Sequence, residues 1–378
     1  MNVKMNIQMH NSALEIDLGA LRENTRAILD TLGEKTALIP VLKDDAYGLG
    51  AVPIARELCR FPEIRCLAVA HVSEGLALRE AGIDREILVM GGALPFQLEA
   101  AVDADLTLAC ARPGFARELA EAAGAAGRRA RIQLKIDTGL HRIGLAPEEI
   151  ADWIEEYRSV EEYLELTGVF SHFSDAEDLP LDEAEFALFQ QALAQLEAAG
   201  IRIPLRHIAC SAASELFPQF HMDAVRCGRR LYMDRSSHPL GNIREIVSFR
   251  SYITQVRSRH AGDTIGYGGA VRLSQDTTVA TVGVGYGDGL NQALFSVGGP
   301  VLIGGKRCWM LACCMDQCMI DVSGVECAVG DEVTFFGHDA HGGFLSSQEV
   351  AALVGGDEGC GLTAALSPRV ARVYIGKE

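Results

Sequence analysis

Lys43 follows a short apolar run and precedes a tyrosine and two glycines. The segment reads Val41-Leu42-Lys43-Asp44-Asp45-Ala46-Tyr47-Gly48-Leu49-Gly50. An amine held at a strand end, beside apolar groups, can condense with an aldehyde cofactor. The alternative is an ordinary surface lysine on a loop. Asp44 and Asp45 favour this alternative, because nearby carboxylates stabilise the ammonium form unless their side chains point elsewhere.

A second segment places a lysine inside an apolar strand and an arginine on the loop after it. It reads Leu134-Lys135-Ile136-Asp137-Thr138-Gly139-Leu140-His141-Arg142. A buried lysine carries a desolvation cost unless it is paired or modified. The guanidinium of Arg142 could bind an oxyanion with two donors. A salt bridge between Lys135 and Asp137 in the wall of a barrel is an equally good interpretation of this segment alone.

Small residues follow two later apolar runs, in Ala209-Cys210-Ser211-Ala212-Ala213 and in Val225-Arg226-Cys227-Gly228-Arg229. Small side chains allow backbone amides to approach a phosphate, as they do after the last strands of many barrel enzymes. The hydroxyl of Ser211 could add a further donor. Ser-Ala-Ala also begins ordinary helices, so each fragment alone is a weak signal.

Two segments in the second part of the chain are uninformative by themselves. Thr264-Ile265-Gly266-Tyr267-Gly268-Gly269 is compatible with a glycine-rich turn, and Cys314-Met315-Asp316-Gln317-Cys318-Met319 with the start of a strand. Cysteines cluster nearby, but no Cys-x-x-Cys pairing or helical histidine pair supports zinc. We therefore expect no metal, and thiols that are reduced and mostly buried.

The composition excludes several classes of partner. The chain has 378 residues, 48% of them hydrophobic, and a formal net charge of −17. This charge argues against nucleic acid and anionic membrane surfaces as partners, although local amides and arginines can still bind an anionic cofactor. The start of the chain has no signal-peptide pattern, and no apolar run is long enough to span a membrane. These features predict a cytoplasmic protein.

The first 230 residues alternate short apolar runs with amphipathic stretches such as Leu18–Leu32 and Leu181–Ala199. Eight such runs are present: Ala37–Leu42, Cys66–Ala70, Ile87–Met90, Leu106–Ala109, Ile132–Ile136, Leu166–Phe170, Leu205–Ala209 and Ala224–Cys227. This order predicts a (β/α)₈ barrel of the TIM type, with an open doubly wound sheet as the competing topology. The barrel is favoured because the chemically interesting residues come just after the runs, where the carboxyl ends of barrel strands form active sites.

The second part of the chain is rich in short β-like runs separated by glycine turns. They are Val247–Val256, Thr278–Val284, Val301–Ile303, Met319–Val322 and Glu332–Phe336. We predict a barrel domain over residues 1–235, whose first residues could join the other domain, and a mostly-β domain over residues 236–378.

In this order, the segments resemble the alanine racemase family, two-domain enzymes of fold type III that use pyridoxal 5'-phosphate. The resemblance covers nearly the whole chain, from Leu14 to Val370. The motifs that carry it are Lys-x-x-Ala-Tyr-Gly-x-Gly from Lys43, Lys-x-Asp-Thr-Gly-x-x-Arg from Lys135, Ser-His-Phe-Ser from Ser171, Gly-Tyr-Gly-Asp-Gly from Gly285, Met-Asp-Gln from Met315 and Arg-Val-x-Arg-Val-Tyr from Arg369.

The resemblance implies a set of cofactor contacts. Lys43 would bind the cofactor covalently, and Arg226 would face its pyridine nitrogen. The full set of cofactor-binding residues would be Lys43, Tyr47, Arg142, His172, Ser211, Arg226, Gly228 and Arg229. Tyr47, Ser211, Gly228 and the Arg229 amide would surround the phosphate, and His172 would pack against the ring.

The resemblance also implies how a small amino-acid substrate is handled. Arg142 would contact the substrate carboxylate. Lys135, which is often carbamylated in this family, would position Arg142. Inversion at a carbon requires one group to remove a proton and another to deliver one on the opposite face. Lys43 and Tyr267 would be these groups, with Tyr267 and the Met315 amide contributed by the other subunit of an obligatory homodimer.

The chain departs from the family pattern at six positions: Asp44, Asp45, His141, Cys210, Arg229 and Pro368. None of these changes removes a catalytic group, but together they leave the substrate open. Alanine is the first expectation, and serine or a larger or basic amino acid is the alternative. A decarboxylase, a D-amino-acid dehydratase and a non-catalytic protein that binds pyridoxal phosphate are the other hypotheses.

Overall fold

The computed structural model describes residues 10–233, 243–356 and 359–376. The chain divides into two compact units. The first contains residues 25–46 and 51–231, and the described residues of the second lie in 10–24, 47–50 and from 232 onward. The predicted boundary between residues 235 and 236 falls outside the described residues. In the part of the chain that is described, no helix combines the length and apolarity needed to cross a membrane.

The chain begins with strand β1 and helix α1. β1 is Ser12–Asp17 and α1 is Leu18–Leu32. The side-chain oxygen of Asp17 accepts the Ala20 amide at 3.0 Å, which satisfies one of the unpaired N–H groups at the start of the helix. Leu21 and Ile28 are fully buried on one face of α1, as their helical spacing predicts.

Eight parallel strands form a barrel in the first unit, as the sequence predicts. They are β2 Ala37–Pro40, β3 Cys66–Val69, β4 Glu86–Val89, β5 Thr107–Cys110, β6 Ala130–Lys135, β7 Leu164–Phe170, β8 Arg206–His207 and β9 Ala224–Cys227. β3 to β8 pair in chain order, and β2 pairs in parallel with β9. The Leu42 amide donates to the Ala68 carbonyl at 2.7 Å, and the Arg226 amide to the Ala209 carbonyl at 3.0 Å. These contacts join β2 to β3 and β8 to β9, so the ring is closed and the open sheet is excluded.

Helices alternate with these strands along the chain. They are α2 Ala51–Leu58, α3 Val72–Glu80, α4 Leu98–Asp103, α5 Phe115–Ala125, α6 Ile150–Arg158, α7 Leu179–Ala198, α8 Ser211–Leu216 and α9 Arg229–Tyr232. α7 illustrates why they start where they do, because the carboxylate of Asp178 accepts the Leu181 amide at 3.2 Å. Branched and small apolar side chains, including Ile39, Val41 and Leu88, pack into a buried cluster between β2, β3, β4 and β9.

The second unit is built on a nine-stranded sheet. Its strands after β1 are β10 Val247–Arg259, β13 Thr277–Val282, β14 Pro300–Ile303, β15 Lys306–Cys313, β16 Cys318–Asp321, β17 Glu332–His338, β18 Phe344–Leu345 and β19 Ala371–Ile375. The order is β18-β17-β14-β15-β16-β13-β10-β1-β19, and a further pairing of β17 with β10 closes six of the strands into a ring. The mostly-β domain is therefore confirmed.

Smaller elements complete the second unit. A separate hairpin pairs β11 Thr264–Ile265 with β12 Val271–Arg272. The short helices are α10 Ala293–Ser296, α11 Ser347–Ala352 and α12 Cys360–Ala364. Six of the described strands of this unit were absent from the sequence prediction: β1, which joins the sheet from the start of the chain, β15, the short strands β11, β12 and β18, and the C-terminal β19, which pairs in parallel with β1.

Candidate active site

Lys43 begins a left-handed helical turn. The segment Lys43–Gly48 follows β2, and Asp44 to Tyr47 have φ angles of 56°, 51°, 55° and 59°. A left-handed turn of ordinary residues costs about 1–2 kcal/mol per residue. It persists only where its surroundings hold it. The carboxylate of Asp45 helps, because its Oδ1 accepts the Ala51 amide at 2.6 Å at the start of α2.

Arg226 is a buried cation in β9, only 3% exposed. Its two terminal nitrogens donate to the carbonyls of Ser171, Ile208 and His207 at 2.7, 2.9 and 3.3 Å, and to Nδ1 of His207 and His172 at 2.6 and 2.9 Å. A guanidinium has only donors, so both rings must present an unprotonated Nδ1. Burial lowers the pKa of Arg226 to about 10, which leaves it charged at neutral pH.

Both histidines beside Arg226 are neutral. Burial, followed by the charge of Arg226, holds the pKa of His172 and of His207 well below the usual range. With Nδ1 accepting, Nε2 of His207 carries the proton and donates to the Gln133 side chain at 2.8 Å. The arrangement fixes the orientation of the guanidinium on both sides, as a preorganised site requires.

Four cationic side chains lie within electrostatic range of His172: Arg226, Lys135, Arg142 and Lys43. They come from three stretches of the chain: Lys43 follows β2, Lys135 ends β6 with Arg142 in the loop after it, and Arg226 lies in β9. The structure therefore brings together at the carboxyl end of the barrel the residues that the sequence selected there. A concentration of positive charge in a protein of net charge −17 suits an anionic ligand.

Lys135 is the most perturbed of these cations. It is 3% exposed, its Nζ donates to the Ile136 carbonyl at 2.7 Å, and it lies 5.6 Å from the centre of the Phe170 ring. Burial, followed by the positive charge of Arg226, lowers the pKa of Lys135 to about 7. A large share of this side chain is therefore a free amine at neutral pH, unlike a surface lysine.

The loop between Lys135 and Arg142 is shaped by carboxylates. Oδ1 of Asp137 accepts the His141 amide at 3.0 Å and the Gly139 amide at 3.3 Å. A Cβ atom at Gly139 would collide with the buried carboxylate of Glu185 in α7. Asp137 thus organises the loop that carries Arg142, which favours this role over the wall salt bridge considered from the sequence.

Ser211 and Gly228 meet at the ends of β8 and β9. Oγ of Ser211, the first residue of α8, accepts the Gly228 amide at 3.2 Å and lies 3.5 Å from the Arg230 amide. Arg229 is the first residue of α9, directly after Gly228. The hydroxyl and these amides therefore lie close together, and their use as an anion-binding pocket stays a prediction.

A buried ion pair supports these two turns. Nε of Arg230 lies 2.7 Å from a carboxylate oxygen of Glu215, and the two side chains are 2% and 9% exposed. Sequence reasoning missed this pair, and also the link between His207 and Gln133. The available signal was the presence of polar residues inside otherwise apolar strands and turns, which predicts burial with a partner but does not name the partner.

In the second unit, Tyr267 stands on an exposed glycine-flanked turn. It is 81% exposed within the chain, between β11 and β12. Gly266, Gly268 and Gly269 have φ of 82°, 65° and 68°, in the region that favours glycine. The turn therefore presents a large aromatic side chain to solvent.

Met315 lies in the tight loop between β15 and β16 and is 53% exposed. Its carbonyl accepts the Gly287 amide at 2.9 Å. Arg369 holds the same region, with Nη1 2.7 Å from Asp316 and Nε 3.3 Å from Asp288. The motifs at Gly285, Met315 and Arg369 thus form one structural cluster within this unit.

Tyr47 also belongs to the second unit. Its ring lies 5.7 Å from that of Tyr232. The neighbouring backbone is fixed by the C-terminal motif, because Arg372 donates to the Gly48 carbonyl at 3.0 Å and Tyr374 to the Leu49 carbonyl at 2.8 Å. A Cβ at Gly48 would strike the Thr363 carbonyl, which explains the glycine in the motif.

A closed parallel barrel with a basic, preorganised site at its carboxyl end and a mostly-β second unit defines a two-domain barrel enzyme. Family models give the class a name. The N-terminal domain of alanine racemase matches residues 16–236, and the C-terminal domain of alanine racemase matches residues 246–374.

Individual relatives agree with the family models. The alanine racemase of Desulforamulus reducens is 36% identical over 372 residues, covering 96% of this chain and 98% of that protein. The structure of alanine racemase from a D-cycloserine-producing Streptomyces lavendulae has a TM-score of 0.90 at 32% identity, covering 98% of both chains. The structure of alanine racemase from Bacillus anthracis with bound L-Ala-P has a TM-score of 0.89 at 28% identity, covering 97% and 95%. The chain belongs to the alanine racemase family and is a racemase.

Proposed function

We propose that this protein interconverts L- and D-alanine with pyridoxal 5'-phosphate as its cofactor. The observation that carries the proposal is the buried Arg226, held by two neutral histidines and three carbonyls in the site that also contains Lys43. Burying a charged side chain inside a barrel costs desolvation free energy. A buried charge with this many fixed hydrogen bonds therefore indicates that it interacts with a bound group.

The residues present fit this cofactor. Lys43 supplies an amine for the aldehyde, and Ser211 Oγ with the Arg229 amide would hold the phosphate. The Gly228 amide would join them by exchanging Ser211 Oγ for a phosphate oxygen. The five bonds of Arg226 use Nη1 and Nη2, so its Nε would be the donor toward the pyridine nitrogen. Tyr47 and His172 would complete the contacts, and Arg142 would bind the phenolic oxygen.

Pyridoxal 5'-phosphate, when bound, supplies the electron sink that acidifies the Cα–H of an amino acid. Arg226 keeps its proton at neutral pH, so it would not protonate the ring nitrogen, and we infer that this disfavours side reactions such as transamination. Lys43 Nζ would take the proton on one face of the substrate carbon. The phenol of the partner subunit's Tyr267 would deliver one on the other face.

Lys135 and Arg142 would handle the substrate carboxylate. The pKa of about 7 makes the Lys135 amine available to attack carbon dioxide. The nitrogen–carbon bond forms as one carbon–oxygen π bond of carbon dioxide breaks, one proton leaves the nitrogen for solvent, and the neutral amine becomes a carbamate anion. This anion would pair with Arg142 and orient it, which removes the cost of an unpaired buried ammonium.

The homodimer is part of the proposal. Tyr267 and Met315 are exposed within one chain, although the proposed chemistry needs both in a site that excludes water. Insertion into the site of a second subunit would satisfy this need. The relatives named above are alanine racemases, which supports alanine as the substrate over serine or a basic amino acid.

Incubation with L-alanine in D₂O, followed by chiral chromatography, tests the function. We expect D-alanine to form with deuterium at Cα, and serine and lysine to react more slowly. Loss of carbon dioxide or ammonia without any D-isomer would refute racemisation. Borohydride reduction and peptide mapping of a separate sample, with the cofactor but without any amino acid, should place the cofactor label on Lys43.

A further inference from the structure

Glu74, in the first turn of α3, binds three backbone amides at once. Its Oε1 accepts the Asp44 amide at 2.5 Å, and its Oε2 accepts the Ala70 and His71 amides at 2.7 and 2.9 Å. Ala70 and His71 come directly after β3, whereas Asp44 comes after β2. One carboxylate therefore links the carboxyl ends of two neighbouring barrel strands.

Helix capping explains only half of this arrangement. A glutamate in the third position of a helix commonly accepts the amide of the residue before the helix, here His71. The Oε2 contacts are of this kind. The Oε1 contact reaches a different strand end and adds nothing to the start of α3, so it requires another explanation.

The Asp44 amide lies in the peptide group that follows Lys43. The direction of this N–H group depends on the ψ angle of Lys43. The four residues that follow Lys43 adopt the disfavoured left-handed conformation. Hydrogen bonds from amides to a carboxylate are stronger than those to a neutral acceptor. The Glu74 carboxylate is thus placed to fix the peptide group next to the Lys43 Cα atom, and with it the direction of the Lys43 side chain.

We propose that Glu74 is a positioning residue that holds the left-handed turn and thereby aims the amine of Lys43 into the site. This inference rests on the proposed role of Lys43. Glu74 would act only through the backbone next to Lys43. Its loss would misplace the amine, and a displacement of about 1 Å can cost about 100-fold in rate.

The variant Glu74→Gln separates the two roles of the side chain. Its single carbonyl oxygen can still serve the Ala70 and His71 amides, but its NH₂ group would then face the Asp44 amide, with two donors opposed. Glu149→Gln is the matched control, because Glu149 accepts the Ala146 amide at 2.8 Å in the same capping arrangement before α6, far along the chain from Lys43.

The readouts are the rate at which added pyridoxal phosphate becomes trappable on Lys43 by borohydride, and kcat and KM for alanine. We expect Glu74→Gln to lower both the trapping rate and kcat by about 10-fold or more, with KM within about twofold. Glu149→Gln should leave all three within about twofold. Equal behaviour of the two variants would overturn the inference.

Hydrogen exchange at the Asp44 amide provides a measurement on the unaltered protein. We expect this amide, at an exposed residue, to be protected, and exchange at the rate of an unstructured peptide would overturn the inference even if the variant fails to fold. Absence of any trapping on Lys43 in the unaltered protein would instead refute the proposed function, so the two failures are distinguishable.

Discussion

The barrel unit buries the cations that surround its candidate catalytic group Lys43, which is itself exposed, whereas the described part of the β unit has no such buried surroundings for its candidate group Tyr267. In the barrel, Arg226 and Lys135 are each 3% exposed, and Arg226 makes five hydrogen bonds. In the β unit, Tyr267 is 81% exposed on a turn between glycines. The barrel unit thus holds several preorganised groups, and the β unit exposes one aromatic side chain.

The difference has a physical reason. A buried cation such as Arg226 needs hydrogen-bond acceptors within its own domain, because an unsatisfied one would destabilise the fold. An exposed tyrosine carries no such requirement, but its ring remains in water until another surface covers it. We infer that the barrel fixes cofactor and substrate, whereas the β unit supplies a proton-transfer group to a second chain.

The largest effect is expected for a substitution in the barrel unit. Lys43→Ala removes both the covalent cofactor link and one of the two bases, so we expect racemisation to fall by at least about 10⁴-fold. Borohydride trapping with peptide mapping checks the first loss and chiral chromatography the second. A label that persists on another lysine would refute the assignment.

Tyr267→Phe tests the contribution of the β unit. The hydroxyl is exposed, so the free energy of unfolding of the single chain should change by less than about 0.5 kcal/mol. We expect racemisation to slow by about 10²–10⁴-fold, with Cα exchange lost mainly for one enantiomer. Deuterium uptake from L- and D-alanine, measured separately, checks this. Equal losses for both enantiomers would contradict the two-base scheme.

Lys135→Met tests the modification of the buried lysine. If carbon dioxide is removed, the unfolded chain binds more protons than the folded chain between pH 7 and the usual lysine pKa of 10.5. The stability of the unaltered protein should therefore rise with pH across this window. The variant should be more stable by a few kcal/mol below pH 7, since one pKa unit is worth about 1.4 kcal/mol. This advantage should fade toward pH 10.5.

Bicarbonate provides the decisive comparison. Added at pH 8, it should stabilise the unaltered protein, as followed by thermal unfolding, and leave Lys135→Met unchanged. Mass spectrometry under native conditions should detect the added carbon dioxide on Lys135. An identical response of the two proteins would contradict carbamylation.

Asp45→Asn should have the smallest effect. The amide oxygen of asparagine can still accept the Ala51 amide, so activity should stay within about twofold and stability within about 0.5 kcal/mol. Asp45→Ala, which has no acceptor, should lose about 1 kcal/mol by chemical denaturation. A large activity change in Asp45→Asn would mean that the carboxylate charge acts on Lys43 directly.

Sequence patterns predicted the fold well where the signal was local. All eight predicted barrel runs and all five predicted β runs formed strands, because the periodicity of apolar residues reflects their burial. β19 was missed because its partner β1 lies at the other end of the chain. The left-handed turn after Lys43 was also missed, since aspartate adopts this conformation only as single residues and alanine and tyrosine disfavour it.

The site was predicted less evenly. The residues assigned by motif in the barrel do lie together, but their partners were invisible in the sequence. Gln133 beside His207, Glu215 beside Arg230 and Glu74 beside Asp44 are tertiary contacts between distant segments. No local pattern encodes such pairs, although a polar residue in an apolar run indicates that a partner exists.

Mixing two inactive variants tests the shared site most directly. A dimer of one Lys43→Ala chain and one Tyr267→Phe chain has one site with both defects and one site with neither, if each site combines Lys43 of one chain with the partner's Tyr267. Random reassociation of equal amounts should therefore restore about a quarter of the original racemase activity, since half of the dimers are mixed. Activity that stays at the level of the separate variants, in a sample shown by native mass spectrometry to contain mixed dimers, would contradict the account.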